Sequence, residues 1–301
     1  MSEPLTLSNP TLMHSKTGSL IMSDPIPLPA PRMIQTKIGQ LAVRDTGETP
    51  RGGDILVLWP SILADYTIYR AQIMAWAKRH RLVIVDGPGH GDSGPAPGPF
   101  TMAQCGQALA QILDRLAISQ PVVIVGTSLG GLVGGEFAIA YPERTRALVM
   151  LNTPVNAPQR GFGDRFVTWG ARRLHRTGMF AQGAAKSFFL PATIARGGPA
   201  LEDFRRHLRG ANGAALATTV RSVLLEREPL APRMRNIRAP VLFIAGRADK
   251  MYPPDSLRQA AETLPQGRFE TVESAHISVV DAPQATTALI DGFLASLPAP
   301  R

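Results

Sequence analysis

The chain has 301 residues and a mass of 32.3 kDa, a length that fits one large α/β domain with an insertion. Apolar residues make up 44% and charged residues 18%, which excludes wholesale disorder because such a chain can bury a core. The single cysteine, Cys105, excludes an intrachain disulfide and a cysteine-based zinc site. No apolar run approaches the length of about 18 residues that a membrane-spanning helix needs.

The first part of the chain differs from the rest. Residues 1–31 contain six prolines and show little periodicity, so we expect a loose N-terminal extension before the fold. They lack the basic start and the apolar centre of a signal peptide. The sequence therefore predicts a cytoplasmic protein.

Positive charge is concentrated in one segment. The formal net charge is +9, and residues 155–238 hold fifteen Arg and Lys against five Asp and Glu. Such a segment is either a solvated basic face or a region that favours an anionic partner, namely nucleic acid, anionic lipid or an anionic small substrate. No nucleic-acid-binding motif accompanies it, so we expect no nucleic-acid partner.

The strand signals come in a regular order. Residues 33–44 alternate between apolar and polar around Gly39, as in a β-hairpin. Short runs that are apolar on both faces follow, and they are typical of central parallel strands covered by helices. These runs and two later strand candidates are residues 55–59, 82–86, 122–126, 147–151, 241–245 and 268–272.

Helical patterns lie between the strand candidates, one of them opened by a capping box at Thr101 and Gln104. The β-α alternation stops between Thr153 and Ala239, where the chain is rich in arginine and helix-patterned. We therefore expect the α/β class, with a mostly parallel central sheet flanked by helices and a helical insertion at one edge. The predicted helices are residues 68–79, 101–116, 129–141, 256–263 and 284–295.

One motif predicts chemistry. Residues 126–130 read Gly-Thr-Ser-Leu-Gly, which matches G-x-S-x-G between an apolar strand and a helix. The glycines are needed because the serine must sit on a sharp turn where other side chains would collide. This turn exposes the Ser128 hydroxyl at a helix N-terminus, where unpaired amides favour negative charge. Ser128 is the predicted nucleophile.

A serine nucleophile needs a base and a group that orients the base. Among six histidines, His276 follows the last strand candidate, at the carboxyl edge where α/β sheets place their active sites. The others lie in the extension, at a helix end, in a Gly-rich loop or among the arginines. Asp249 follows the preceding strand and is the predicted acid. The rival acids Asp255 and Asp281 are interpreted as helix caps.

These motifs resemble the α/β-hydrolase fold superfamily, in its small capped branch of esterases, lactonases and carbon–carbon bond hydrolases. The similarity extends over residues 33–297 and includes Asp-Gly-Pro-Gly-His-Gly-Asp-Ser at residues 86–93. In that superfamily the nucleophile, the acid and the histidine follow one another as Ser128, Asp249 and His276 do here.

The resemblance also implies a domain organisation. A hydrolase core would comprise residues 32–154 and 236–301, and a helical cap would comprise residues 155–235. Six aromatic residues of the expected cap either line a substrate cavity or form the cap's own core, and they are Phe162, Phe166, Trp169, Phe180, Phe188 and Phe189.

The sequence departs from the superfamily at the oxyanion loop. Members usually carry His-Gly-x after the first central strand, whereas this chain has Trp59-Pro60-Ser61. By position, the two amides that would bind the oxyanion are those of Ser61 and Leu129. Trp59 is either a core aromatic or a pocket wall, and His90 of the Gly-rich loop is interpreted as structural.

The reaction that the resemblance implies is hydrolysis of a carboxylic ester or lactone of a small substrate through an acyl-enzyme. A serine nucleophile argues against dehalogenases and epoxide hydrolases, which share the fold, and no metal or organic cofactor is expected. Carbon–carbon bond hydrolysis, acyl transfer and a slow-turnover ligand-binding role remain as alternatives because they keep the same triad. We expect a small-molecule partner and no membrane partner.

Overall fold

The computed structural model describes residues 27–299. The expected loose extension therefore falls mainly on residues 1–26, outside the described part, and residues 27–31 lead into the first strand without regular structure. Within the described range, eight strands form one sheet. They are β1 (Arg32–Thr36), β2 (Gly39–Asp45), β3 (Ile55–Trp59), β4 (Arg81–Val85), β5 (Val122–Thr127), β6 (Thr145–Leu151), β7 (Val241–Gly246) and β8 (Gly267–Val272).

The strand order is β1-β2-β4-β3-β5-β6-β7-β8. The hairpin β1–β2 joins the sheet antiparallel to β4, and the six remaining strands run parallel. Every residue of β3, β5 and β7 is buried. Because successive side chains of a strand point to opposite faces, helices must cover both faces of the sheet. The predicted fold class is confirmed.

Eleven α-helices lie in the described residues. They are α1 (Arg70–Trp76), α2 (Met102–Arg115), α3 (Leu129–Ala140), α4 (Phe162–Arg173), α5 (Gly178–Phe188), α6 (Pro191–Arg196), α7 (Pro199–Gly210), α8 (Gly213–Arg221), α9 (Pro254–Glu262), α10 (Ser278–Asp281) and α11 (Pro283–Ala295). Helix α3 packs against the central strands β3, β5 and β6, and α2 packs against α3 and β1, whereas α1 packs against α11.

The first helix is shorter than its pattern predicts. A 3₁₀ turn, Tyr66–Tyr69, precedes α1, because the Asp65 side chain accepts the Thr67 N–H and caps that turn. At the other end, Arg79 and His80 both donate their N–H groups to the Trp76 carbonyl. The chain therefore closes into a turn after Trp76 instead of continuing to residue 79.

The segment between β6 and β7, residues 155–235, is called the insert below, and α4 to α8 lie in it. It leaves the sheet at the carboxyl end of β6. The Ile277 N–H donates to the Phe188 carbonyl at 3.1 Å, and the Thr219 hydroxyl donates to the Pro88 carbonyl at 2.6 Å. These contacts hold the insert over the carboxyl edge of the parallel strands.

Candidate active site

The Ser128 turn joins β5 directly to α3. Ser128 has φ 53° and ψ −106°, and its N–H donates to the Leu151 carbonyl at 2.8 Å. A Cβ atom on Gly130 would lie 1.9 Å from the Trp59 carbonyl oxygen, and one on Gly126 would lie 2.1 Å from the Gly130 carbonyl carbon. Only glycine fits at these two positions, so the turn can form as tightly as the sequence motif predicts.

Asp249 and His276 follow the ends of β7 and β8 and meet at the edge of the sheet. His276 Nδ1 and Asp249 Oδ2 are 2.7 Å apart, and both side chains are almost completely buried. Burial raises the pKa of Asp249, but the hydrogen bond from His276 and further donors outweigh it, so the pKa lies below its ordinary value. An ionised carboxylate only accepts, so Nδ1 donates, and in a neutral imidazole Nε2 is then the acceptor.

The backbone after Asp249 also holds this carboxylate. Its Oδ1 atom accepts the N–H groups of Met251 at 3.0 Å and Tyr252 at 3.1 Å. The Asn152 amide Nδ2 donates to Asp249 Oδ2 at 3.1 Å and to the Ala275 carbonyl at 3.2 Å. The carboxylate is thus fixed from β6, β7 and β8 at once.

Asn152 is a residue that the sequence analysis missed. It follows β6 directly, has φ 48° and is buried. Asparagine tolerates the left-handed region better than most residues, and it stands where a third parallel strand reaches the carboxyl edge. That position was a usable signal, although its partner Asp249 lies 97 residues away.

A cavity of about 600 Å³ lies between the strand edge and the insert. Ser128 and His276 both line it, so the structure brings these two predicted residues to one space. Among the described residues, its charged lining side chains are Asp164 and Lys250. The rest of the lining is mainly apolar, including Ile62, Leu63, Val167, Phe180, Phe188, Val223, Leu224 and Met251.

The six aromatic residues singled out in the insert have different places. Phe166, Phe180 and Phe188 line the cavity. Phe189 is buried and packs edge-on against Phe204, with ring centroids 5.2 Å apart. Phe162 and Trp169 are exposed and lie outside the cavity lining. The prediction that each aromatic residue lies in the cavity wall or in the core of the cap is therefore wrong for Phe162 and Trp169.

The loop after β3 contains the Trp59-Pro60-Ser61 departure. Trp59 is fully buried, and its carbonyl accepts the Tyr69 hydroxyl at 2.9 Å. It does not line the cavity, so Trp59 is a core aromatic and not a pocket wall. Ser61 is buried too, and its hydroxyl has no hydrogen-bond partner among the described residues.

His90 holds this loop from below. The Leu63 N–H donates to His90 Nε2 at 2.9 Å, and His90 Nδ1 lies 3.0 Å from the Pro88 carbonyl. Because Nε2 must accept, the ring proton sits on Nδ1 and is donated to Pro88. Burial lowers the pKa of His90 to about 3, which keeps the ring neutral. The ring of His207, from the insert, stacks on His90 at 5.4 Å between centroids.

Backbone strain is concentrated at this edge. Among the described residues, five that are not glycine have positive φ, and three of them are Leu63, Ser128 and Asn152. Leu63 binds His90, Ser128 is the proposed nucleophile, and Asn152 binds Asp249. Strain of this kind persists where the surroundings over-determine the backbone, as they do at functional sites.

The two rival acids differ in their roles. Asp255 lies in the first turn of α9, but Pro253 is the N-cap residue, so the interpretation as a cap is wrong for Asp255. Asp281 ends α10, and its carboxylate accepts the N–H groups of Ala275 at 2.8 Å and Leu190 at 3.1 Å. Leu190 is the N-cap residue of α6, so Asp281 binds the start of that helix and not of its own. It thereby ties the insert to the segment before His276.

Comparison with known proteins agrees with this architecture. A model of the alpha/beta hydrolase family matches residues 56–289. The chain belongs to this family. It is therefore a hydrolase, and its membership rests on both the sequence match and the eight-stranded, mostly parallel sheet.

Relatives of this hydrolase carry related names. The chain is similar to 3-oxoadipate enol-lactonase 2 of Acinetobacter baylyi, with 28% identity over 79% of this chain and 88% of the relative. It is 31% identical to a putative carbamate hydrolase, RutD, of Cronobacter sakazakii, over 76% and 87% of the two chains. The crystal structure of a hydrolase from Pseudomonas aeruginosa matches with a TM-score of 0.80 and 28% identity, over 88% and 98%.

Two further features concern partners. Within residues 27–299, no helix is long and apolar enough to cross a membrane. The same residues contain no group of three or more His, Cys, Asp or Glu side chains placed to hold a metal ion. The cytoplasmic location remains a prediction.

Proposed function

We propose that this hydrolase cleaves carboxylic esters or lactones of small, mainly apolar substrates, with Ser128 as the nucleophile. The observation that carries the proposal is the pairing of two features on one cavity. Ser128 sits on a strained strand-to-helix turn, and His276, bonded through Nδ1 to Asp249, lines the same space. That combination is what acyl transfer to a serine requires.

The first half of the reaction forms an acyl-enzyme. The Ser128 hydroxyl oxygen attacks the substrate carbonyl carbon while His276 Nε2 takes the hydroxyl proton. Asp249 keeps the proton of Nδ1 in place and stabilises the imidazolium. When the tetrahedral intermediate collapses, the bond from the carbonyl carbon to the leaving oxygen breaks, and His276 gives its proton to that oxygen.

Two backbone amides are proposed to bind the oxyanion. The Leu129 N–H is the first of α3 and has no partner within the helix. On the other side, the Leu63 N–H is already donated to His90, whereas the Ser61 N–H has no acceptor among the described residues. We therefore assign the second donor to Ser61. One such donor is worth about 3–4 kcal/mol in the transition state.

Water completes the cycle. His276 Nε2 removes a proton from a water molecule, whose oxygen attacks the acyl carbon and releases Ser128 with its proton restored. The acid product then leaves through the cavity. The insert, which provides most of the cavity wall, acts in this proposal as a cap over a core of residues 32–154 and 236–301.

The lining supports an apolar substrate. Among the described residues, the lining holds one cation, Lys250, and one carboxylate, Asp164. The arginines of the insert do not take part in it, so we do not propose the anionic substrate that the charge of this segment suggests. Esters and lactones are favoured as the class because the relatives include a named enol-lactonase.

The test is a turnover panel. p-Nitrophenyl acetate, butyrate and octanoate, together with lactones of matched carbon number, are incubated with the wild type and with Ser128→Ala. We expect release of the carboxylic acid by the wild type, with kcat/KM rising from acetate to the longer acyl chains because the wall is apolar. Hydrolysis that persists in Ser128→Ala, or an absence of turnover across the panel, would contradict the proposal.

A further inference from the structure

The outer face of the insert exposes large apolar side chains. Phe162 is 85% exposed, Phe166 and Trp169 are each 51% exposed, and Met179 is 71% exposed. Among the described residues, the only other exposed large apolar side chain is Met33, at 42%. Contiguous exposure of this kind marks an interaction surface. These four residues are called the aromatic patch.

The patch is continuous along one helix face. Phe162, Phe166 and Trp169 stand at positions i, i+4 and i+7 of α4, which share a face. Their rings follow one another, with centroids 6.4 Å and then 5.8 Å apart. Met179 extends the patch onto the start of α5.

Arginines surround the aromatic patch. Five exposed ones come from α4 and the turns beside it, and none forms an ion pair within the part of the chain that the structure describes. The acid on this helix, Asp164, is half-buried and accepts the Gly161 N–H at 3.2 Å. The five are Arg160, Arg165, Arg172, Arg173 and Arg176.

Some of these arginines converge. Arg160, Arg165 and Arg172 line a groove of about 690 Å³ between α4 and α8, together with Trp169. Arg221 and Glu226 also line it and form an ion pair with each other. A groove with three unpaired guanidinium groups fits phosphate oxygens, which arginine binds in a bidentate manner.

The aromatic patch also borders the catalytic cavity. Phe166 and Met179 belong to the patch and at the same time line the cavity that holds Ser128 and His276. The cavity therefore opens beside exposed apolar surface. An apolar substrate held in a lipid layer against this face would reach the cavity without crossing bulk water.

We propose that the aromatic patch and its arginines dock on the surface of an anionic lipid bilayer. Aromatic rings lie at the level of the headgroups, and arginines beside them pair with lipid phosphates. A second copy of the chain is a poor occupant, because a two-fold interface would bring the same five arginines face to face. Surface docking needs no spanning helix, and it replaces the expectation of no membrane partner.

The chain contains its own reporter. Trp59 and Trp76 are fully buried, whereas Trp169 is half exposed in the patch. Docking should therefore shift the emission of Trp169 to shorter wavelength without a contribution from the other two. The proposal does not rest on catalysis, and Ser128→Ala should dock as the wild type does.

The experiment uses vesicles of phosphatidylcholine alone and of phosphatidylcholine with phosphatidylglycerol, followed by co-sedimentation and Trp169 emission. We expect the full chain to bind the anionic vesicles, with a blue shift, and to bind neutral ones at least about tenfold more weakly, since binding needs both the rings and the charges. Phe162→Ser and the pair Arg172→Ser with Arg173→Ser should each weaken binding by about tenfold.

The matched control removes two charges elsewhere. Arg51 and Lys78 are exposed near the starts of β3 and β4, at the opposite edge of the sheet from the insert. Arg51→Ser with Lys78→Ser should leave vesicle binding within about twofold of the wild type. Equal loss in this control and in the arginine pair would overturn the proposal, because it would indicate a response to net charge alone.

Two other results would also overturn it. One is binding that glycerol phosphate abolishes and Phe162→Ser does not change, which would indicate a site for free phosphate. The other is self-association that Phe162→Ser removes, without binding to either vesicle, which would assign the patch to a second copy.

Discussion

The carboxyl edge of the sheet and the outer face of the insert differ in the burial and hydrogen bonding of their side chains. At the edge, the Asp249 carboxylate is buried and accepts hydrogen bonds from His276, Asn152 and two backbone amides. On the insert, the rings of α4 are exposed, and the arginines beside them form no ion pair within the described residues. A region whose buried polar groups are all hydrogen-bonded holds its side chains in fixed positions. A region that exposes apolar rings and unpaired charges is typical of a surface that binds a partner.

The largest loss of activity is expected at Asp249, which has the most hydrogen bonds at the carboxyl edge. Asp249→Asn replaces an acceptor by a group that favours the wrong imidazole tautomer, so kcat on a p-nitrophenyl ester should fall by about 10⁴-fold. Thermal unfolding should change little by comparison. Asp255→Asn, at an exposed position of α9, is the control and should keep wild-type kcat. Retention of most of the activity in Asp249→Asn would show that this carboxylate does not orient the base.

A smaller effect is expected behind the oxyanion loop. His90→Phe keeps an aromatic ring for the stack with His207 but removes the acceptor of the buried Leu63 N–H. The loop that carries Ser61 should shift, and kcat should fall by about 10- to 100-fold with little change in KM, because the oxyanion amide acts in the transition state. His90→Gln, which can accept that N–H, should recover much of kcat. A change in KM alone would refute this positioning role.

The same histidines predict how stability depends on pH. Burial lowers the pKa of His90 to about 3 and that of His207 to about 4, whereas the unfolded chain binds protons at about 6.5. Neutral His90 therefore stabilises the fold fully above pH 6.5, and this contribution is lost as pH falls from 6.5 towards 3. Burial raises the pKa of Asp86 to about 7, so the stability contribution of Asp86 increases as pH falls, opposite to that of His90. The contribution of His90 must therefore be measured as a difference in stability between two variants.

That difference is taken between the wild type and His90→Gln, since glutamine does not titrate and Asp86 is common to both. The gap in free energy of unfolding, from urea melts, should shrink below pH 6.5 by up to about 1.4 kcal/mol per pH unit. A gap that stays constant between pH 7 and pH 5 would contradict a neutral buried His90.

The smallest effect is expected on the insert. Phe162 is 85% exposed, so Phe162→Ser should change the free energy of unfolding by less than about 0.5 kcal/mol and leave turnover of a soluble ester unchanged. Phe189→Ser, at a buried aromatic of the same segment, is the contrasting variant and should destabilise the fold strongly. Equal destabilisation by both would place Phe162 in a packed core.

The sequence predicts the edge better than the insert for a physical reason. The Ser128 turn is formed by residues that are close in sequence, because the strand, the glycines and the helix lie within a few residues of one another. The clashes that require Gly126 and Gly130 follow from that chain path. Strand positions followed from continuous apolar runs for the same reason. Asp249 and His276 were found because parallel strands end at one edge.

Contacts between distant segments gave no such signal. The bond from Leu63 to His90 and the link from Asn152 to Asp249 join residues 27 and 97 positions apart. The spacing of Phe162, Phe166 and Trp169 indicates one helix face but not whether that face is buried. The helix that Asp281 caps is another example, because its partners Ala275 and Leu190 lie in elements that only the fold brings next to it.

The measurement that tests the account most directly is the site of reaction with a fluorophosphonate. Phosphonylation consumes a serine that a histidine has activated, and mass spectrometry of the digested protein locates the adduct. We expect one phosphonyl group, on the peptide that contains Ser128, and none in Ser128→Ala. An adduct on another serine, or undiminished labelling of Ser128→Ala, would contradict it.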